Sequence, residues 1–202
     1  IMFTLLFSQR MISRFAAFIA ASFFMLSLFG CNNKAVPDEA INHSMTYGDV
    51  TINLQVGEPA PDFSSVDAEG NTITLSSFQP KQPVLLVFYR GNWCPFCVSH
   101  LDDIQNLFPT LKAQGIQLLA ISPDLSADSQ ELAAKFDQPY VFVSDQDLTI
   151  ANAYGVQRDE SIPHPAVVLI NAEGNVVWFF AGENYRQRPS AAQLQQVIEL
   201  YL

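Results

Sequence analysis

Basic residues are scarce in this 202-residue chain: ten Lys and Arg stand against twenty Asp and Glu, a formal charge of −10. Such a chain repels polyphosphate, so nucleic acid is excluded as a partner. Potential metal ligands are few as well, with three histidines and three cysteines. A zinc site needs about four ligands. Cys94 and Cys97 form one close pair, no second pair exists, and the histidines are scattered, so no metal or other cofactor is expected. Covalent haem would need His directly after the second cysteine, where Val98 stands. Internal repeats and low-complexity tracts are absent. So is an apolar run of spanning length: residues 15–30 (FAAFIAASFFMLSLFG) fall short of the roughly 20 that cross a bilayer.

That short run is informative in itself. Arg14 precedes it, and it closes at Leu28-Phe29-Gly30-Cys31. A basic start, an apolar middle and a small residue before the cut are the three parts of a secretory signal. With cysteine at the first mature position, it resembles a bacterial lipoprotein signal. The resemblance implies cleavage after Gly30 and diacylglyceryl attachment to the Cys31 sulfur. It also accounts for the odd third cysteine. An uncleaved membrane anchor is the alternative. Asn32, rather than Asp, follows Cys31; by resemblance to envelope sorting signals this implies the outer membrane, facing the periplasm. Loss of residues 1–30 removes Arg10 and Arg14 and leaves eight basic residues against twenty acidic ones.

The remaining length suits one well-buried domain. Residues 31–56 are polar and without a clear period, which predicts a lipid-anchored tether; His43 lies in it as a solvated residue. The folded domain is expected over 57–202. Phe63 onward and Thr72–Leu75 flank a turn at Asp67–Asn71, a hairpin signature. Residues 84–89 (VLLVFY) read as a central strand covered on both faces. Apolar spacing of three or four predicts a helix over 94–114, kinked by Pro109 and capped by Gly115. Further strands are expected at 116–122 and 140–143, a hairpin at 166–170 with 176–181, and helices at 126–136, 147–153 and 190–202. Strands alternating with helices predict an α/β architecture with a central mixed sheet and helices on both faces.

The chemistry concentrates in Trp93-Cys94-Pro95-Phe96-Cys97, where the central strand ends and a helix begins. A cysteine at a helix N-terminus meets unpaired N–H groups and the positive end of the macrodipole. Both favour thiolate over thiol, lowering the pKa from about 8.5. Pro95 fits the first helical position, where its missing N–H costs nothing. Cys94 can then serve as N-cap and nucleophile, with Cys97 one turn later, close enough to form a disulfide. A structural disulfide and a zinc half-site are the duller readings of the same pair.

The stretch Val87-Phe88-Tyr89-Arg90-Gly91-Asn92-Trp93-Cys94-Pro95-Phe96-Cys97 resembles the redoxin branch of the thioredoxin superfamily, the AhpC/TSA (peroxiredoxin-like) group. Val56–Phe63 and Pro165–Asn171 are similar to that group's opening segment and to its strand before the last hairpin. The resemblance implies a thioredoxin-like fold with an insertion between the second and third core strands. It implies a cis bond at Pro165, facing the cysteines. It also makes His100 a candidate base toward Cys97, because similar envelope reductases often carry Glu at that place; an exposed helix histidine is the alternative. Phe88 takes the place of thioredoxin's buried Asp. Arg90 can lower the thiolate pKa or simply be solvated, and Arg186 and Arg188 resemble a family feature without an assigned role.

Three functions follow. A thiol-disulfide oxidoreductase of the cell envelope would act on a protein disulfide and draw on an external thiol reductant. A peroxiredoxin-like peroxidase would act on a hydroperoxide. A thioredoxin-like binding module would not catalyse, although an intact Cys-x-x-Cys argues against it. In peroxiredoxins a Thr stands three positions before the peroxidatic cysteine, a Pro seven before, and an Arg precedes the later apolar strand. If Cys97 took that role, those places would hold Cys94, Arg90 and Pro165. The departure favours disulfide exchange.

Overall fold

The structure is a computed structural model that describes residues 36–48, 50 and 52–202. Cys31 and the leader before it lie outside the described residues. The elements run α1 (Glu39–Asn42), β1 (Met45–Tyr47), β2 (Ser64–Val66), β3 (Thr72–Thr74), β4 (Val84–Phe88) and α2 (Pro95–Ile104). They continue with α3 (Phe108–Gln114), β5 (Gln117–Ser122), α4 (Ser126–Ala133), β6 (Val141–Ser144), α5 (Thr149–Ala153), β7 (Ala166–Ile170), β8 (Val176–Gly182) and α6 (Ala191–Tyr201).

Six strands form one sheet in the order β1-β8-β7-β4-β5-β6. β4, β5 and β6 are parallel, as helical crossovers allow, while β7 lies antiparallel to β4 and to β8. β2 and β3 make a separate hairpin. All five residues of β4 are buried, and their side chains alternate between two cores. Leu85 and Val87 meet Leu101 and Ile104 of α2 and Leu194, Val197 and Ile198 of α6. Val84, Leu86 and Phe88 meet Leu75, Ile150 and Tyr154 on the other face. This is the period-2 logic of a strand covered on both sides, and it produces the expected mixed sheet with helices on both faces. Between β5 and β7, where the insertion is expected, lie α4, β6 and α5.

The long helix expected over 94–114 is divided. A 3₁₀ turn at Gln105–Leu107 separates α2 from α3. Pro109 has no N–H and crowds the carbonyl four residues earlier, so the break falls one turn ahead of the proline itself. Gly115 closes α3 at φ 66°, ψ 29°, the left-handed conformation glycine adopts cheaply.

The expected tether is shorter than 31–56. From Val36 the chain packs against the domain, with Val36, Ala40 and Ile41 buried in the core that holds α6. β1 pairs parallel with β8, Met45 opposite Phe180. Buried Trp178 donates its Nε1–H to the Ala40 carbonyl (2.8 Å), Gln193 donates to Val36 O (2.8 Å) and Tyr201 to Asn42 O (2.7 Å). Scarce apolar residues conceal this docking in the sequence, because backbone carbonyls make much of it.

Candidate active site

β4 delivers the chain to the motif. Tyr89 still donates its N–H to Ile121 O (3.0 Å), and then the backbone leaves the sheet through Arg90–Trp93. Gly91 adopts φ +144°, and a Cβ there would stand 2.5 Å from Trp93 Nε1 and 2.9 Å from Asp124 Oδ1. Asp124, at the end of β5, accepts the Asn92 N–H at 2.9 Å and fixes the loop. Burial raises the Asp124 pKa above the usual carboxylate value.

Cys94 is the N-cap of α2, extended at φ −88°, ψ 106°, with Pro95 in the first turn. Its Sγ accepts the Cys97 N–H at 3.3 Å. The two cysteines form a disulfide, their Cα atoms 5.2 Å apart, well within the usual span of such bonds. Cys94 keeps 1% of its surface exposed and Cys97 none. Trp93, immediately before them, is 58% exposed.

Beneath Cys97 lies a residue to which the sequence assigned no role. Arg188, in the segment between β8 and α6, is 2% exposed, and its Nη2–H donates to Cys97 Sγ at 3.2 Å. Its Nε–H donates to Tyr185 O at 3.1 Å, and Nη1 has no partner. Burial first, then the charge of Arg90, lowers the Arg188 pKa to about 10, so it remains a cation at neutral pH. Among the described residues the ion pair is Lys135–Glu131, so Arg188 has no carboxylate partner. A buried cation of this kind is costly without an anion. The Cys97 sulfur is the group in contact with this cation.

His100 does not have the environment of a base acting near neutral pH, the role expected of it. It is buried, and its Nε2–H donates to Pro189 O at 2.8 Å, which leaves Nδ1 unprotonated and without a partner. Burial and the Arg188 charge lower its pKa to about 3. His100 therefore ties α2 to the Arg188 segment. The Arg188 guanidinium is the cation in contact with Cys97 Sγ.

Pro165 needs a correction too. Its bond to His164 is trans; among the described residues the cis bond is Gln79–Pro80. Trans is the ordinary state of X–Pro, and nothing here reverses the chain. His164 N–H bonds to Val156 O (2.7 Å), Pro165 O accepts the Gly182 N–H (3.2 Å), and the extended backbone runs straight into β7. Because Ala166 pairs with Phe88, Pro165 still stands beside the end of β4, where it lines a tight gap with His100 and Arg188.

Arg90 is not freely solvated. Its guanidinium is stacked 4.9 Å from the Trp93 ring and 4.9 Å from the Tyr185 ring. Exposed Arg186 lies 5.1 Å from the Phe96 ring, and Phe96 meets Tyr185 edge-on at 5.3 Å. Cations and rings from the motif and from 185–186 thus form one rim beside the disulfide.

A redox disulfide at the start of a helix, at the carboxyl end of a central strand, is an arrangement suited to dithiol–disulfide exchange. The AhpC/TSA family model matches residues 56–179. The chain belongs to the AhpC/TSA family. Among its AhpC/TSA-type relatives, the thiol-disulfide oxidoreductase ResA of Bacillus thuringiensis subsp. konkukian is 31% identical over 140 residues, 67% of this chain and 75% of that protein. The chloroplastic peroxiredoxin Q of Triticum aestivum is 27% identical over 135 residues, 66% of this chain and 62% of its own. In structure, the reduced 2-Cys peroxiredoxin of Plasmodium vivax superimposes with a TM-score of 0.62 at 25% identity, over 72% of this chain and 94% of that one. Proteins named as thiol-disulfide oxidoreductases and as peroxiredoxins are thus both similar to this chain, which is an oxidoreductase.

Proposed function

We propose that this protein is a thiol-disulfide oxidoreductase that cycles between the Cys94–Cys97 disulfide and the dithiol. The observation that carries the reading is that disulfide at the N-terminus of α2 with Arg188 against Cys97 Sγ. Reduced Cys94, as thiolate, attacks one sulfur of a substrate disulfide, forms a mixed disulfide and expels the first substrate thiolate. The Cys97 thiolate then attacks Cys94 Sγ, closes the pair and expels the second. Two electrons pass to the substrate; an external thiol returns them by attacking Cys94 and expelling Cys97, and a second donor thiol then attacks that mixed disulfide, freeing Cys94 and leaving the donor as a disulfide. Arg188 holds Cys97 as a thiolate, which raises the fraction able to attack and makes it a better leaving group, and it stabilises the dithiol state relative to the disulfide.

A peroxidase reading gains support from the same contact. Pro165 stands where peroxiredoxins carry an arginine, but Arg188 brings a guanidinium to Cys97 from the β8–α6 segment instead. In that reading a thiolate is oxidised to sulfenic acid by a hydroperoxide, and the second thiol condenses with it, releasing water. Stopped-flow Trp fluorescence of the reduced protein separates the two. Exchange with a protein disulfide should be much faster than oxidation by equimolar hydrogen peroxide. Rapid oxidation by micromolar peroxide without measurable disulfide exchange would replace the first reading with the second.

For location, the signal-like run before Cys31 supports a lipid-anchored protein of the bacterial envelope, held at the outer membrane with its domain in the periplasm. Among the described residues no helix is long and apolar enough to cross a membrane.

A further inference from the structure

A chain with twice as many acids as bases places three of its six arginines around one disulfide. Arg90 and Arg186 belong to the rim and Arg188 lies beneath it. None has a carboxylate in ion-pair contact among the described residues. Neighbouring acids are engaged elsewhere: Asp124 accepts the Asn92 N–H, and Asp103 accepts the Ala191 N–H at 2.7 Å. The motif itself, from Val84 to Leu101, contains no Asp or Glu.

The stacking determines what the rim can still bind. The Arg90 guanidinium lies 4.9 Å from the Trp93 ring centroid and 4.9 Å from that of Tyr185, and contacts to ring faces leave its N–H donors for other partners. Its Nε is buried and has no hydrogen-bond partner. Edge donors of a ring-held guanidinium match the two oxygens of a carboxylate, and the stack fixes the orientation in advance. Arg186 lies over Phe96 and Tyr185, donates its Nε–H to the Tyr185 hydroxyl (3.2 Å), and adds an exposed second charge.

We propose that Arg90 and Arg186 select substrate disulfides that carry a carboxylate close to the sulfur, whether a small disulfide acid or a polypeptide cystine flanked by Asp or Glu. This rests on the exchange reading and names the substrate class of that site. The rest of the molecule argues the other way, because the field of an acidic protein disfavours anions at long range. An anionic preference would therefore report the rim and not the net charge.

The test uses the reduced full-length protein and three small disulfides: 3,3′-dithiodipropionate, bis(2-hydroxyethyl) disulfide and cystamine. Each rate is divided by that of dithiothreitol with the same disulfide, which removes differences between leaving thiols. The corrected rate should be about tenfold higher for the dianion than for the dication at low salt, and the ratio should shrink as salt screens the charges. Arg90→Gln and Arg186→Gln should each reduce the ratio severalfold; the Arg186 side chain is exposed, so that variant tests the idea even if Arg90→Gln fails to fold. Cystine peptides flanked by Glu or by Lys then distinguish the sources: preference for the acidic peptide over the small diacid assigns a polypeptide substrate, and the reverse a small one. A wild-type ratio near one, a cationic preference, or a ratio unmoved in Arg186→Gln would overturn the inference while leaving exchange intact. Failure to react with any of the disulfides would instead overturn the exchange reading.

Discussion

Arg188 Nη2 lies 3.2 Å from Cys97 Sγ, inside a core where neither residue is more than 2% exposed. A hydrogen bond from a cation to a thiolate contributes about 1.5–3 kcal/mol to the charged form. It acts on the reduced state, where the thiolate exists. Arg188→Met should therefore make the reduction potential more negative by ~30–60 mV, since ~30 mV corresponds to 1.4 kcal/mol for a two-electron couple. Equilibration against dithiothreitol or glutathione, followed by Trp fluorescence, measures it. An unchanged or more positive potential would show that Arg188 does not support the thiolate.

The cysteines should behave unequally. Cys94→Ala should abolish turnover. Cys97→Ala should accumulate mixed disulfides with substrate, visible as adducts on non-reducing gels. Adducts on Cys97 in the Cys94→Ala variant, with continued peroxide consumption, would reverse the two roles.

His100 carries a pH signature. Its pKa is about 3 when folded against 6.5 for the free side chain, so the unfolded state takes the proton first. Its contribution is complete above pH 6.5 and is lost as pH falls toward 3. The slope reaches ~1.4 kcal/mol per pH unit within that window. Asp124 and Asp145, whose pKa values burial raises, act in the opposite sense but are common to wild type and variant. Urea unfolding at pH 7 and pH 4.5 should therefore show a smaller loss of stability in His100→Gln than in wild type. The pH–rate profile between 6 and 8 should keep its shape in that variant; loss of an inflection there would restore His100 as a base.

Gly91→Ala forces a Cβ toward Trp93 Nε1 and the buried Asp124 Oδ1 at a φ of +144°. Exposed Trp93 can swing aside, but Asp124 is held by Asn92. A cost of about 1–3 kcal/mol in denaturant unfolding is expected. A neutral result would mean the loop relaxes without the carboxylate anchor.

Cys31→Ser should leave the chain unprocessed or move it from the detergent phase to the aqueous phase on partition. Unchanged mass and partition behaviour would remove the lipid anchor from the description.

What the sequence displays depends on the distance over which each residue acts. β4, α2 and the Gly115 cap follow from neighbours within one or two turns, and the Trp-Cys-Pro-Phe-Cys chemistry follows from its own five residues. Arg188 meets Cys97 across 91 positions, and no local pattern announces that contact. His100 reads as a free helical histidine until the segment at Pro189 closes over it. The 36–47 segment was equally hidden, because side chains from β8 and α6 grip its carbonyl oxygens, and a carbonyl is the same at every residue.

That grip has an implication for how the domain is made. Trp178, Gln193 and Tyr201, which hold Ala40, Val36 and Asn42, lie 138, 157 and 159 positions further along the chain. Closing loops of more than 130 residues is entropically slow, and these contacts cannot form until β8 and α6 are present. β1 can therefore close the sheet only once β8 and α6 exist to receive it, which makes the strand nearest the start of the domain the last one its sheet gains.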